Sequence, residues 1–555
     1  MRDAATTAPW LVRHAGVLVA VAFLAHGLAT LADGGITWDE GESYRAGAQN
    51  LRLIAAAFSG RPLPQWPWHE LPGYQFAADT LRAGFAAVVN RIVWEPGHYL
   101  GFHLANLLLA TLAVALVARL AAREGGAPVL APLAATLLVV QPKLVAHSQA
   151  NPKDVVALVT WSAVVLALAR AARTGRLGDF ALLGAAAGAA LASHVSALFI
   201  APLALVWTLA AGSRPWRRRL AGLLLAGGVA AVVALLLWPW LWPAPSPRVL
   251  DVVHRIREFD VPMRVLYLGR VYRPAELPWH YGWLSLAIAT PVPLLLAALA
   301  GGVAACRRGA ASRLCRLAAL WLGLLLLADL AAPARYDGAR HLLPALPALA
   351  LLAASGVYAV GVALWSLGAT ARRFAMALGA LFAASLVALA LELAAIHPYA
   401  DAYLNAPARR ALGPEAQHRV ELEYWRELQG GRRVARRARA VRRLRAGADG
   451  AARCGPVPCR PLRAGAARRL VRRDAPAVPD ADDARGMVHA PRGPHRRHRA
   501  PAVHRAPTGL DTARHLPLGA AGSAAQRGPI GRDPSVRVAS DAGLVVHGAG
   551  GDRLL

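Results

Sequence analysis

The chain has 555 residues, of which 56% are hydrophobic and 17% charged, with a mean hydropathy of +0.38. That balance excludes an ordinary water-soluble enzyme. A formal net charge of +30 points to nucleic acid or an anionic membrane as partner, and four cysteines (Cys306, Cys315, Cys454, Cys459) form neither a disulfide scaffold nor a CxxC or Cys/His zinc pattern.

The first apolar run, 15–32, is long enough to cross a hydrocarbon core of ~30 Å as a helix. The sequence after it, Asp33-Gly-Gly-Ile-Thr-Trp-Asp-Glu, lacks a small-x-small cleavage site, so the run reads as a retained span and not as a signal peptide. Further runs near 99–121, 127–145, 155–172, 179–193, 197–212, 219–241, 283–305, 313–332, 341–365 and 374–396 give about eleven spans. The expected fold is therefore an all-α polytopic membrane bundle.

Short cytoplasmic loops are enriched in Lys and Arg, which orients the spans. Arg123; Arg170, Arg173 and Arg176; Arg214 with Arg217, Arg218 and Arg219; Arg307, Arg308, Arg313 and Arg316; and Arg372 with Arg373 fall in loops of one parity, which faces the cytoplasm. The other parity holds the long loops 33–98 and 242–282, the short ones around 143–154 and 333–341, and the C-terminus. Within the first outer loop, Asn50–Ser59 and Ala77–Arg91 have helical periodicity with apolar faces, as expected of amphipathic helices at a membrane surface. Trp66, Trp68, Trp94, Trp240, Trp242, Trp279 and Trp283 lie in or beside outer loops and read mainly as interface anchors.

Three outer segments carry polar chemistry. Directly after the first span, Ile36-Thr-Trp-Asp-Glu-Gly-Glu places Asp39, Glu40 and Glu42 within four residues. Neighbouring carboxylates raise one another's pKa, which suits a general base, although a metal site or a solvated loop start has the same composition. His147-Ser-Gln-Ala-Asn-Pro-Lys-Asp contains Lys153, which with Lys143 makes up all the lysine of the chain. A cation at a helix start suits a phosphate, while the plainer reading is an Asn-Pro turn with Asp154 complementing the helix dipole. Arg335-Tyr-Asp-Gly-Ala-Arg-His and Tyr272-Arg-Pro-Ala-Glu-Leu-Pro-Trp-His-Tyr add Arg340 and Arg273, which can grip an anionic head group or simply snorkel to lipid phosphates. His194 reads as a hydrogen bonder between packed helices.

After Trp425 there is no aromatic residue of the Phe, Trp or Tyr type, and from Arg426 onward 27 arginines face 10 acidic residues. Such a segment buries too little apolar surface to order itself. It is either a disordered basic tail or the product of a shifted reading frame, since plausible codons read one base later give Gly-Asn-Ser-Lys-Ala-Gly-Gly-Gly-Trp-Leu. The expected organisation is a membrane core over 1–397, the start of an outer domain over 398–425, and an Arg/Ala/Gly/Pro-rich tail over 426–555.

Taken in order, the Asp39-Glu40 pair, Asn151-Pro-Lys-Asp, Leu277-Pro-Trp-His-Tyr, Tyr336-Asp-Gly-Ala-Arg-His, His397-Pro-Tyr and Glu421-Leu-Glu-Tyr-Trp resemble the polyprenyl-phosphate-dependent glycosyltransferases of the GT-C fold, glycosyltransferase family 39. The resemblance covers roughly residues 10–425. It implies an inner-membrane enzyme of mannosyltransferase-like or aminoarabinose-transferase-like type. Such an enzyme moves a sugar from a polyprenyl-phosphate donor to a lipid, glycan or protein hydroxyl on the periplasmic or extracellular side. It implies Asp39 as base with Glu40 as its partner, and Lys153, Arg340 and Arg273 at the donor phosphate. Asp154, His341 and Glu42 are second choices. No resident metal or cofactor is expected, beyond a weakly held divalent cation. The chain lacks a β-trefoil module, which argues against a protein acceptor, and the family's outer C-terminal domain stops at Trp425.

An O-antigen ligase or polymerase shares lipid-linked donors and arginine-rich outer loops, but lacks the early acidic pair. A transporter places polar groups near the midplane, often in repeated halves. Nucleic acid is not expected as a partner, because the basic tail has no aromatic interleaving.

Overall fold

A computed structural model describes residues 10–35, 37–61, 76–93, 99–258, 263–307, 310–414, 416 and 419–421. The chain divides into two units, 1–457 and 458–555, and every described residue lies in the first. The expected tail, Cys454, Cys459, Trp66, Trp68 and Trp94 fall outside the described residues.

The described residues form helices in the order α1 (Trp10–Ala29), α2 (Trp38–Phe58), α3 (Phe76–Val93), α4 (Tyr99–Glu124), α5 (Leu130–Val139), α6 (Pro142–Ala150), α7 (Asp154–Thr174), α8 (Leu177–Leu191), α9 (Ile200–Ala211), α10 (Trp216–Leu237) and α11 (Pro245–Arg257). A hairpin of β1 (Val265–Tyr267) and β2 (Arg270–Tyr272) follows, and then α12 (Tyr281–Ala289), α13 (Val292–Ala305), α14 (Ala310–Ala331), α15 (Leu346–Ser366), α16 (Ala369–Ile396) and α17 (Ala406–Leu412). Six helices are long and apolar enough to cross a membrane, or up to eight spans if the bent pairs α5–α6 and α12–α13 each count as one. Shorter apolar helices cover 14–29, 177–191 and 195–211, so each of the expected apolar runs holds one of these elements. The protein is a multi-pass helical membrane protein.

Prolines shape the bundle. A residue before proline is pushed out of the helical region. Gln141, at ψ 123°, precedes Pro142, and the chain bends by 70° between α5 and α6. Thr290, at ψ 132°, precedes Pro291, and the bend between α12 and α13 is 116°. Close packing elsewhere relies on small residues, as membrane helices do when apolar surface gains nothing over lipid. A Cβ on Gly301 would come 2.1 Å from the Leu352 carbonyl oxygen and one on Gly356 2.0 Å from that of Ala297, so α13 and α15 touch backbone to backbone.

The central helix is α7, whose Val155, Ala157, Leu158, Trp161, Val164, Val165 and Leu168 are fully buried. Trp161 stacks on Trp321 of α14 with ring centres 6.3 Å apart. The first half of α15 is buried as well. Both helices begin at the same place: Asp154 opens α7, and Arg340 lies in the 3-10 turn that leads into α15. The core thereby sets the position of the polar residues at these two helix starts.

The first outer segment departs from the expected pattern in one respect. Helix α2 begins at Trp38, twelve residues before the periodic stretch at Asn50, because Thr37 and Glu40 form a capping box at its start. The acidic triplet thus sits in the first turns of a helix and not in a loop. Gly47 permits α3 to lie against α2, since a Cβ there would meet the Asp79 carbonyl oxygen at 2.2 Å.

Candidate active site

The capping box turns the two neighbouring acids in different directions. Glu40 is consumed locally: its Oε1 accepts from the Thr37 N–H at 3.0 Å and the Thr37 hydroxyl at 2.9 Å, and its Oε2 lies 2.9 Å from Nε2 of His103 on α4. The Thr37 hydroxyl also reaches the carbonyl of Ala150, at the end of α6. Glu40 therefore fastens the start of α2 to α4 and, through Thr37, to α6.

Asp39 faces the other way, into cations. Its Oδ2 lies 3.1 Å from Nη1 of Arg340 and 3.4 Å from Nζ of Lys153. Asn151 holds Lys153 and Asp154 at the start of α7, its Oδ1 accepting from their N–H groups at 2.9 and 2.8 Å. Burial opposes the charge of Lys153, but the neighbouring Asp39 carboxylate, with Glu42 and Tyr336, outweighs it and Arg340, raising the ammonium above its ordinary pKa. Glu42, half-buried, joins the site through this field.

Arg340 is 4% exposed and surrounded by carboxylates: Asp39, Asp337 at 3.1 Å from Nη2, and Asp154 at 3.8 Å from Nε. Asp337 reaches it from a turn in which Asp337 (φ 56°) and Gly338 (φ 60°) are both left-handed, a conformation Asp and Gly tolerate best. Burial raises the Asp337 carboxyl, and Arg340 pulls it back only in part. Tyr336 lines the same corner, with the Arg340 guanidinium 5.5 Å from its ring centre and the His341 ring at 4.8 Å.

Asp154, 1% exposed, ties the cluster together from below. It accepts from Asn151 Nδ2 at 2.9 Å and lies 3.3 Å from His194 Nε2 and 3.7 Å from His341 Nδ1. Two roles read from the sequence meet here: Asn151 is a helix-start cap, and the cap delivers Lys153 to a shared polar site. His194 packs between helices, yet its polar contact is with this cluster.

Of the expected site residues, the structure brings together Asp39, Lys153, Arg340, Asp154, His341 and Glu42. Glu40 adjoins them but is committed to Thr37 and His103. Arg273 is exposed at the end of β2, where its N–H donates to Glu276, and among the described residues it makes no ion pair. Asp337, His103 and His194 complete the geometry. Asp337 stands in a motif already notable in sequence and His194 reads there only as a hydrogen bonder between packed helices, whereas nothing local marks His103. Lys153 and His341, with side chains 27% and 33% exposed, form the open side, and Arg340 lies deeper.

The fold and this site together define a polytopic membrane protein with a carboxylate and cation cluster at converging helix ends. Residues 87–242 match the family described as dolichyl-phosphate-mannose-protein mannosyltransferase, a stretch that includes Asn151, Lys153, Asp154 and His194. Over that stretch, less than half of the chain, the sequence is similar to this family of membrane glycosyltransferases. Among solved structures, ArnT from Cupriavidus metallidurans bound to undecaprenyl phosphate aligns at TM-score 0.46 and 15% identity, over 68% of this chain and 71% of that one. The apo form of the same ArnT aligns at 0.43 and 16%, over 67% and 70%. No curated protein sequence matches the chain.

Proposed function

We propose that the protein is an inverting glycosyltransferase that moves a sugar from a polyprenyl-phosphate-linked donor to an acceptor hydroxyl on the non-cytoplasmic face of the inner membrane. The observation that carries this reading is the sharing of one Asp39 oxygen by Lys153 and Arg340. Two cations that share one carboxylate oxygen are a ready anion site, and the carboxylate they hold is engaged until an anion replaces it. A donor phosphate entering from the open side takes over contacts of Lys153 and Arg340, and Asp39 is released to act on the acceptor.

In the step itself the acceptor O–H proton passes to Asp39, the acceptor oxygen bonds to the anomeric carbon, and the bond from that carbon to the phosphate oxygen breaks. The electron pair leaves with the polyprenyl phosphate. Lys153 and Arg340 stabilise the charge that develops there, in a site partly shut off from water, where such contacts are strongest. The phosphate is already a good leaving group, so the proton taken by Asp39 matters more than one given to the departing oxygen. In this reading Glu40 and Asp154 are positioning residues: Glu40 fixes the turn that aims Asp39, and Asp154 fixes Arg340. Lys153 and Arg340 supply the positive charge, so we propose that turnover needs no divalent metal and survives chelation.

The arginine-rich loops of one parity support a non-cytoplasmic site, because Asp39 follows the first span on the opposite parity. The test is sugar release from a panel of polyprenyl-phosphate donors by the purified protein in liposomes, with candidate acceptors supplied. Asp39→Asn is expected to abolish turnover while donor still binds and the fold persists by thermal melting. Near-normal turnover in Asp39→Asn removes it as base, and no release from any donor turns the reading toward a ligase.

A further inference from the structure

We propose that the segment Pro274–Tyr281 clamps the turn that leads into Arg340, with Tyr281 as a positioning residue for the donor phosphate; this rests on the reading of Arg340 as a phosphate ligand. The segment contains the Leu277-Pro-Trp-His-Tyr281 motif, none of whose side chains takes part in the transfer step. Pro274 and Pro278 keep the residues before them extended, Arg273 at ψ 152° and Leu277 at ψ 139°. Such an interrupted stretch leaves backbone carbonyls to find partners outside it.

Arg335 is that partner. Its N–H donates to the Pro274 carbonyl at 3.1 Å, its Nη2 to that of Leu277 at 3.0 Å and its Nη1 to that of Trp279 at 3.4 Å. Three residues further on, the Gly338 N–H donates to the Tyr281 hydroxyl at 2.7 Å. Between these two grips Tyr336 packs against the cluster of Val265, Tyr267, Leu277 and Tyr281. The turn is therefore held on both sides of Tyr336 and Asp337 by one segment.

The turn needs such a hold. Asp337 (φ 56°) and Gly338 (φ 60°) are both left-handed, a region that a residue other than glycine enters at a cost. A cavity bordered by Tyr281, Gly338, Ala339 and Glu421 lies behind it, so on that side packing does not enforce the conformation. The hydrogen bond to Tyr281 does. It keeps the Asp337 carboxylate 3.1 Å from Arg340 Nη2, while the Arg340 N–H donates to the Asp337 carbonyl at 3.3 Å. Tyr281 is itself fixed: it opens α12, is 3% exposed, and meets the Tyr267 ring of β1 edge-on at 5.0 Å. Loss of its hydroxyl loosens the turn and leaves the charge of Arg340 in place but less well aimed.

The experiment compares the full chain with Tyr281→Phe, which removes the hydroxyl and keeps the ring. Tyr267→Phe is the control, since the Tyr267 hydroxyl meets His280 Nδ1 at 2.6 Å and not the turn. Amide hydrogen exchange over 335–341 reads the clamp, and binding of a sugar-free polyprenyl phosphate in detergent micelles reads the aim of Arg340. Tyr281→Phe is expected to speed exchange at Gly338 and to weaken binding about 5-fold, the effect of one hydrogen bond, at a melting temperature little changed. Tyr267→Phe is expected to match wild type in both. In an Asp337→Asn background Tyr281→Phe is expected to add little, because it acts through that residue. Unchanged exchange at Gly338 overturns the clamp. Faster exchange with undiminished binding, or full additivity with Asp337→Asn, overturns the positioning role. If the wild type neither binds polyprenyl phosphate nor consumes any donor, the donor reading fails and the positioning role with it, while the exchange comparison still decides whether the segment holds the turn.

Discussion

Lys143 and Lys153, the two lysines of the chain, each face an aspartate that also meets a second basic side chain, and the two clusters are built for different ends. Lys143 donates to Asp401 Oδ1 at 2.6 Å and to the Asp401 carbonyl at 3.0 Å, with His147 Nε2 at 3.3 Å from the same carboxylate oxygen. The two side chains are 8% and 1% exposed, and they join α6 to the segment after α16. Burial by itself lifts the Asp401 carboxyl, but Lys143 and His147 hold it well below the usual carboxylate range. The Lys153 contact is longer, at 3.4 Å, and more open, with the ammonium side chain 27% exposed. A short, closed pair can only fasten two segments. A longer, open pair can exchange its carboxylate for an incoming phosphate, and that exchange is what the proposed chemistry needs.

The largest effect is expected where the comparison predicts a fastener. Lys143→Ala leaves a buried carboxylate without its main partner, and breaking such a pair from one side costs about 3–5 kcal/mol. The folded yield in detergent and the melting temperature should both collapse. Lys153→Ala is expected to do the opposite: melting close to wild type, with turnover down on the order of 10²–10³-fold, the usual loss when one stabilising group at a developing charge is removed. If the donor KM rises while kcat holds, Lys153 binds the phosphate equally in ground and transition states. If Lys153→Ala melts as early as Lys143→Ala, the two clusters are alike and the distinction fails.

A third pair lies between these extremes and sharpens the contrast by pH. Arg82 on α3 is fully buried, bonds Asp79 at 2.6 Å and Asn106 on α4 at 3.1 Å, and so docks the first outer segment on the bundle. Burial pushes Asp79 up to about 6, against the pull of Arg82 and Lys153. A carboxyl whose folded pKa lies above its free value of about 3.9 favours the folded state when protonated. Its contribution is complete below about pH 4 and is lost as pH rises through about 6. Asp401 has the opposite sign: its contribution is present above the free carboxyl pKa and fades only as pH falls below it. Between pH 7 and 5 stability should therefore rise through Asp79 with the Lys143 pair unchanged. Asp79→Asn should flatten this rise, measured by thermal unfolding at both pH values.

Much of this was legible in the sequence, and the rest was hidden for a physical reason. Hydropathy located every apolar run, and Asp39, Lys153 and Arg340 stood out because charge at the end of an apolar run is costly and conspicuous. The capping box Thr37-x-x-Glu40 was present to be read as a helix start, and reading it would have moved the start of α2 to Trp38 and separated Glu40 from Asp39 in role. Pairings such as Glu40 with His103, Asp154 with His194 and Lys143 with Asp401 join residues far apart in the chain. No spacing rule reaches them. They follow from the bends at Pro142 and the 3-10 turns at 195–199 and 400–402, whose side-chain partners only the packed bundle defines.

His194 gives the smallest effect and the finest test of whether the open cluster is positioned as a unit. The Ser196 N–H donates to His194 Nδ1 at 3.2 Å, so Nε2 is the protonated nitrogen, and it lies 3.3 Å from Asp154 Oδ1. Asp154 in turn stands 3.8 Å from Arg340 Nε. His194→Ala removes a polar neighbour 3.3 Å from a buried carboxylate, a loss of about 1 kcal/mol that the site must absorb by movement or by stability. If the histidine only packs helices, the whole loss appears as a lower melting temperature and the kinetics stay as they were. If it sets Asp154 and thereby Arg340, donor KM rises several-fold at a melting temperature little changed. His194→Gln, which can present an N–H to Asp154, should then restore the KM, whereas His194→Leu should not. Recovery in both variants would assign the residue to packing and would leave Arg340 held by Asp39 and Asp337 alone.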